Sequence, residues 1–103
     1  MYTLKSIIEN GGATLQKGSP VNYKSGYQVS IKDLEVIPVY KLRKAHLDEL
    51  QRQHLTIGIW IENGKAYIDH SVKINGRKTA EAIGRRKQQI SIWDWKNGEA
   101  VYL

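Results

Sequence analysis

Leu4, Ile7 and Ile8 stand at i, i+3 and i+4, the spacing that gathers three side chains on one helical face, and Gly11-Gly12 follows as a stop. The pattern predicts a short helix over about Thr3 to Asn10. Ala13 to Leu15 reads as a brief strand, Lys17-Gly18-Ser19-Pro20 is dense in turn formers, and Tyr27, Val29 and Ile31 alternate with polar residues as in a half-buried strand. These two strands are expected to form an N-terminal pair. Leu34 to Tyr40 is rich in β-branched residues, but Pro38 has no N–H to give a ladder, which predicts an edge strand or an extended linker.

From about Leu42 to His54 the period becomes helical. Leu47 and Leu50 mark the inner face, while Lys44, Asp48 and Arg52 follow at i, i+4 outside as a solvated charge ladder. Thr56 to Asn63 alternates, with Ile57, Ile59 and Ile61 on one side, and Asn63-Gly64 is a preferred type I′ hairpin dipeptide. Lys65 to about Val72 returns as the partner strand. Asn75 is placed to cap a helix over about Arg77 to Lys87, whose inner face holds Ala80, Ile83 and Gly84, small enough for close approach to a sheet. Gln89 to Trp95, Asn97-Gly98 and Glu99 to Leu103 read as a second hairpin.

The two hairpins resemble each other. Ile57-Gly58-Ile59-Trp60, Asn63-Gly64 and Ala66-Tyr67-Ile68 recur as Ile90-Ser91-Ile92-Trp93, Asn97-Gly98 and Ala100-Val101-Tyr102-Leu103. With a two-residue turn in each, Trp60 faces Tyr67 and Trp93 faces Tyr102, aromatic cross-strand pairs of the kind that stabilise a ladder by roughly 0.2–1 kcal/mol. Ile57, Ile59, Ile61, Ala66 and Ile68 then share the opposite face, and Glu62 opposite Lys65 marks the Trp60 face as wet. Trp60 and Tyr67 are expected to be partly exposed.

Composition narrows the chemistry. A chain of 103 residues fits a single domain over residues 1–103, and with 41% hydrophobic and 25% charged residues it has ordinary globular usage. With no cysteine there is no disulfide, thiolate metal site or Cys nucleophile. No apolar run is long enough to span a bilayer, so cytoplasmic residence without a membrane partner is the expectation. Sixteen Lys and Arg against ten Asp and Glu leave a formal charge of +6, which suits a polyanionic partner and equally serves solubility.

Two surfaces are candidates for binding. Arg77, Lys78 and Arg85 share the outer face of the third predicted helix with only Glu81 between them, and Arg86-Lys87 lie at its end, a patch able to meet phosphates or an acidic protein surface. The aromatic residues Trp60, Tyr67, Trp93, Trp95 and Tyr102 can stack bases of single-stranded nucleic acid or pack under helices. Asp69-His70-Ser71 contains the residue types of a hydrolytic triad, but strand neighbours point to opposite faces and cannot form a relay. His46, His54 and His70 lack metal-ligand spacing, and no phosphate-loop glycine motif is present. No catalytic residue, metal or cofactor is assigned, and the reading leans away from an enzyme.

Glu9-Asn10-Gly11-Gly12-Ala13-Thr14, Gly26-Tyr27-Gln28-Val29, Gly58-Ile59-Trp60, Gly64-Lys65-Ala66-Tyr67-Ile68-Asp69 and Gln89-Ile90-Ser91-Ile92-Trp93-Asp94 give the chain a pattern that resembles small uncharacterised proteins encoded by bacteriophages, plasmids and their bacterial hosts. The resemblance implies a setting among accessory factors that bind a nucleoprotein machine, inhibitors of bacterial defence systems included. The expected fold is α+β: an antiparallel sheet built from two Asn-Gly hairpins and an N-terminal strand pair, with two or three short helices mainly on one face. The leading functional expectation is a non-enzymatic accessory protein that binds nucleic acid or a nucleoprotein complex. The alternatives are a homo-oligomeric interaction module using the Trp-Tyr face, and a small-ligand binder or enzyme using Asp69 and His70.

Overall fold

The computed structural model describes residues 2–103, in which three α-helices alternate with seven strands. The elements are α1 (Leu4–Asn10), β1 (Gly12–Gln16), β2 (Ser19–Pro20), β3 (Tyr27–Pro38), α2 (Lys44–Gln53), β4 (Thr56–Glu62), β5 (Lys65–Ile74), α3 (Arg77–Arg86), β6 (Ser91–Asp94) and β7 (Glu99–Tyr102). The strands form one antiparallel sheet in the order β2-β1-β4-β5-β3-β6-β7, an α+β fold. The chain divides into two compact units, the first Met1–Val21 with Asp33–His70, the second Asn22–Lys32 with Ser71–Leu103.

In the first unit the Thr3 hydroxyl accepts the Ser6 N–H at 3.1 Å and opens α1, and Gly11, at φ 78°, closes it in the left-handed conformation. Gly12 leads straight into β1 at φ 151°, where a Cβ would lie 2.3 Å from the Ile59 carbonyl oxygen, so only glycine lets β1 close on β4 there. Asn63 and Gly64 both have positive φ, as a two-residue type I′ turn requires, and the register places Trp60 opposite Tyr67 and Glu62 opposite Lys65. The alternate face collects Ile57, Ile59, Ala66 and Ile68, all buried, against Ile7 of α1 and Leu47 and Leu50 of α2. Each of the buried Ile and Leu side chains contributes about 1.5–3 kcal/mol of burial.

Within that core Tyr2 is 3% exposed, and its hydroxyl donates to the Asp48 carboxylate at 2.7 Å. The Lys44 ammonium sits 4.4 Å from the centre of its ring. Lys44 and Asp48 are thus more than a solvated ladder, because they anchor the N-terminal segment to α2. Arg52 turns away to Glu49.

The second unit is smaller. Val29, Ala80 and Ile92 form its core, with Tyr27, Val72, Ile74, Ile83, Val101 and Leu103 packed around them. Gly84 brings α3 onto the sheet as expected: a Cβ there would meet Leu103 Cδ1 at 2.6 Å and Ile92 Cγ2 at 3.0 Å.

Four expectations need correction. β1 does not pair with Tyr27–Ile31. Its partners are β2 and β4, because Lys17 and Gly18, at φ 52° and 80°, reverse the chain at once and put Gln16 opposite Ser19. The Leu34 to Pro38 stretch is no linker but the end of β3, which is interior in strand order; on β3 the partners of β6 are Tyr27 and Gln28, so Pro38 falls where that side of β3 carries no ladder, as at an edge. The N-cap of α3 is Gly76 rather than Asn75, with no side-chain cap. Finally, the second Asn-Gly does not close a two-residue turn, and Trp93 pairs with Ala100 and Ser91 with Tyr102.

The cause of the last difference is Asp94. Its carboxylate accepts the Asn97 backbone N–H at 3.2 Å and the Asn97 side-chain amide at 2.8 Å, while its carbonyl accepts the Gly98 N–H at 2.9 Å. These bonds stabilise a four-residue loop, Trp95 to Gly98, in which only Gly98 has positive φ. The register shifts by two residues, and a shift of two leaves every side chain on the face it would otherwise occupy.

Candidate nucleic-acid interface

Formal charge is divided unevenly between the units. The first carries seven Lys and Arg (Lys5, Lys17, Lys41, Arg43, Lys44, Arg52, Lys65) and seven Asp and Glu (Glu9, Asp33, Glu35, Asp48, Glu49, Glu62, Asp69), so its net charge is zero. The second carries nine (Lys24, Lys32, Lys73, Arg77, Lys78, Arg85, Arg86, Lys87, Lys96) against Glu81, Asp94 and Glu99. The whole excess of +6 therefore belongs to the second unit.

Five of these cations lie on α3 or its end. Arg77 Nε reaches Glu81 at 3.0 Å and Arg85 reaches the same carboxylate at 3.9 Å, so one acid is shared by two guanidiniums on successive turns. Lys78, Arg86 and Lys87 are exposed and have no acidic partner among the described residues. The inner face, Ala80 and Gly84, is buried, which holds the cationic face outward.

Trp93 and Tyr102 do not join that patch. Ile92 points toward α3, so Trp93, its strand neighbour, points to the other face, with Gln28 opposite it on β3 and Ala100 opposite it on β7. There it meets Trp95 edge-on at 6.4 Å between ring centres, and Trp95 meets Tyr23 edge-on at 5.5 Å, with the Lys73 ammonium 4.7 Å above the Tyr23 ring. Tyr102, one diagonal step from Trp93, is 75% exposed. The indole Nε1 of Trp95 and the hydroxyl of Ser30 are buried without a hydrogen-bond partner. Tyr23 and Lys73 were not legible as part of an aromatic face, because Tyr23 lies in an irregular segment with no period.

Trp60 and Tyr67 form the predicted pair in the first unit and are 52% and 38% exposed. They sit on the electrically neutral unit, so the nine sequence-selected residues divide into three sets: the α3 cations, Trp93 with Tyr102, and Trp60 with Tyr67.

Asp69 and His70 point to opposite faces of β5, opposite Gly58 and Ile57 respectively. The His70 ring lies 5.0 Å from that of His54. Asp69 lines a cavity of about 270 Å³ with Asp33, Glu35, Val36, Tyr67 and Ile68, which gathers acids without bringing His70 to them. Among the described residues no group of three His, Cys, Asp or Glu is arranged to hold a metal, and no helix is long and apolar enough to cross a membrane.

No protein-family model, curated protein or solved structure matches the chain.

Proposed function

We propose that the chain is a non-enzymatic accessory protein whose second unit binds nucleic acid, alone or within a nucleoprotein complex, through the outer face of α3. The observation that carries this reading is the confinement of the entire charge excess to that unit. A basic excess needed only for solubility has no reason to avoid one unit, whereas a phosphate backbone is met by cations gathered on one face. Lys78, Arg86 and Lys87 make the phosphate contacts in this reading, and Arg77 and Arg85 are held in place by Glu81. The setting is that of phage and plasmid accessory proteins, with inhibition of a bacterial defence system as one such role.

Fluorescence anisotropy with a labelled duplex and a labelled single strand tests it. Binding should weaken steeply with salt, with a log–log slope of about 0.7–0.9 per phosphate neutralised, and reversing Lys78, Arg86 and Lys87 together to Glu should abolish it. Absence of binding at low salt, or binding unchanged by the triple reversal, overturns the reading.

A second reading has its own observation. The exposed Trp60–Tyr67 pair on a unit of zero net charge suits a protein contact, including one with a second copy of the chain. Light scattering at high concentration separates a monomer from that assembly.

A further inference from the structure

The two outermost strands of the sheet are built differently. β2 is two residues long and contains Pro20, which has no N–H to donate. β7 is four residues long and contains neither proline nor lysine, and its one charged residue, Glu99, stands at its start and leaves Ala100 to Tyr102 without a protecting charge.

The hydrogen bonds show which of its backbone groups are free to pair. Leu103 N–H donates to the Ile90 carbonyl at 2.9 Å, so in the antiparallel alternation Val101, two residues away, also turns its N–H and C=O toward β6. The Trp95 N–H donates to the Gly26 carbonyl at 3.0 Å, which assigns the alternate β6 residue, Trp93, to the β3 side and confirms the phase. Ala100 and Tyr102 therefore direct their N–H and C=O away from the sheet. On one face of this edge lie the side chains of Ala100 and Tyr102, the small one beside Trp93 and the large one exposed. On the other lies α3, whose Gly84 abuts Leu103 and is followed directly by Arg85, Arg86 and Lys87.

We infer that β7 accepts an extended segment of an acidic protein partner as an added antiparallel strand. Ala100 and Tyr102 pair with its backbone. Its alternate side chains meet two different environments: apolar ones lie over Ala100 beside Trp93 and Tyr102, and acidic ones fall on the α3 side, where that helix and its end carry Arg77, Lys78, Arg85, Arg86 and Lys87 against Glu81. Charge disfavours a second copy as occupant, because two units of +6 would repel. The inference stands on the edge geometry and does not require that α3 bind nucleic acid.

The probe is a labelled eight-residue peptide of alternating Glu and Val, compared with a peptide of the same composition in which the Glu residues form one block, and with alternating Lys and Val. The alternating acidic peptide should bind at least tenfold more tightly than either. Amide exchange should slow at Ala100 and Tyr102 on binding and stay unchanged at Val101. Ala100→Pro removes only an outward N–H and should keep the far-UV spectrum while losing binding at least tenfold; Tyr102→Pro, at the other outward position, is the second variant if the first disturbs the fold. Equal binding of the block and alternating peptides would show simple polyanion attraction and overturn the inference. So would unchanged protection at Ala100 and Tyr102, or binding that survives the proline variants. An oligonucleotide that binds equally well to Ala100→Pro leaves the α3 reading in place while this one fails or holds by itself.

Discussion

Trp93 stands directly opposite Ala100, and Tyr102 lies one diagonal step farther along the same face. The pair belongs to the non-hydrogen-bonded class, in which Cα atoms approach to about 4.5 Å. A strong Hα–Hα contact between Trp93 and Ala100, and none between Trp93 and Tyr102, is the expected nuclear Overhauser pattern. Asp94→Ala removes the acceptor for Asn97 and opens the two-residue register, so a Trp93–Tyr102 contact should appear in that variant. If the wild type already shows it, the four-residue loop is wrong.

The same carboxylate makes the hairpin sensitive to acid. The Asn97 side-chain amide, aided by backbone N–H donors, holds the Asp94 pKa below the usual carboxylate range against the effect of burial. A depressed native pKa stabilises the fold at pH values above the unfolded carboxylate pKa, and that stabilisation is lost as pH falls through the native value. Amide exchange at Asn97 and Gly98, corrected for intrinsic rates, should accelerate on acidification in the wild type and show no such dependence in Asp94→Asn.

Tyr2 and Asp48 give a second pH-dependent pair. The Tyr2 hydrogen bond holds Asp48 below the usual carboxylate range, and burial, then the Asp48 bond, raises the Tyr2 phenol well above its ordinary value. For the carboxylate, the contribution is present above the unfolded pKa and lost in acid. For the phenol, it is present below the unfolded pKa near 10 and lost as pH rises toward the higher native value. Tyr2→Phe should therefore destabilise the protein in denaturant titrations at neutral pH, with a deficit that shrinks in acid. A deficit independent of pH would place the role of Tyr2 in packing alone.

Adjacent glycines should respond differently to the same substitution. At Gly11 a Cβ meets nothing within 4 Å, so Gly11→Ala carries only the left-handed backbone cost of about 1 kcal/mol. At Gly12 the Cβ would collide with the Ile59 carbonyl, backbone that cannot give way, and Gly12→Ala should cost more than about 3 kcal/mol. Denaturation midpoints compare the two directly, and equal losses would exclude the close approach of β1 to β4.

Across the first hairpin, a double-mutant cycle with Trp60→Ala and Tyr67→Ala should return a coupling of about 0.2–1 kcal/mol, as expected for a cross-strand aromatic pair. A coupling of zero would mean that the rings do not touch.

The residues that share a unit explain what was and was not legible in the sequence. Alternation fixed Ile57, Ile59, Ala66 and Ile68 as core, because a strand with one buried face has a period no other element reproduces. Asn63-Gly64 gave its turn correctly, whereas Asn97-Gly98 did not, because the carboxylate three residues before Asn97 competes for its backbone. Lys17 to Pro20 was legible as a turn, but not as a two-residue reversal that returns Ser19 and Pro20 onto β1, because lysine seldom accepts positive φ. The candidate surface was half legible. The cations of α3 follow from a helical wheel, but Lys24 and Lys32 join them in one unit only after β3 pairs with β6, and that pairing is not local.

Pro20 at one margin of the sheet and the proline-free β7 at the other have a consequence for assembly. Fibril growth by strand addition needs a receptive border at both ends of every subunit, so that each newcomer offers a landing place for the next. With a single receptive border, addition terminates after one step. The product is a capped complex, and a lengthening filament is denied its second contact.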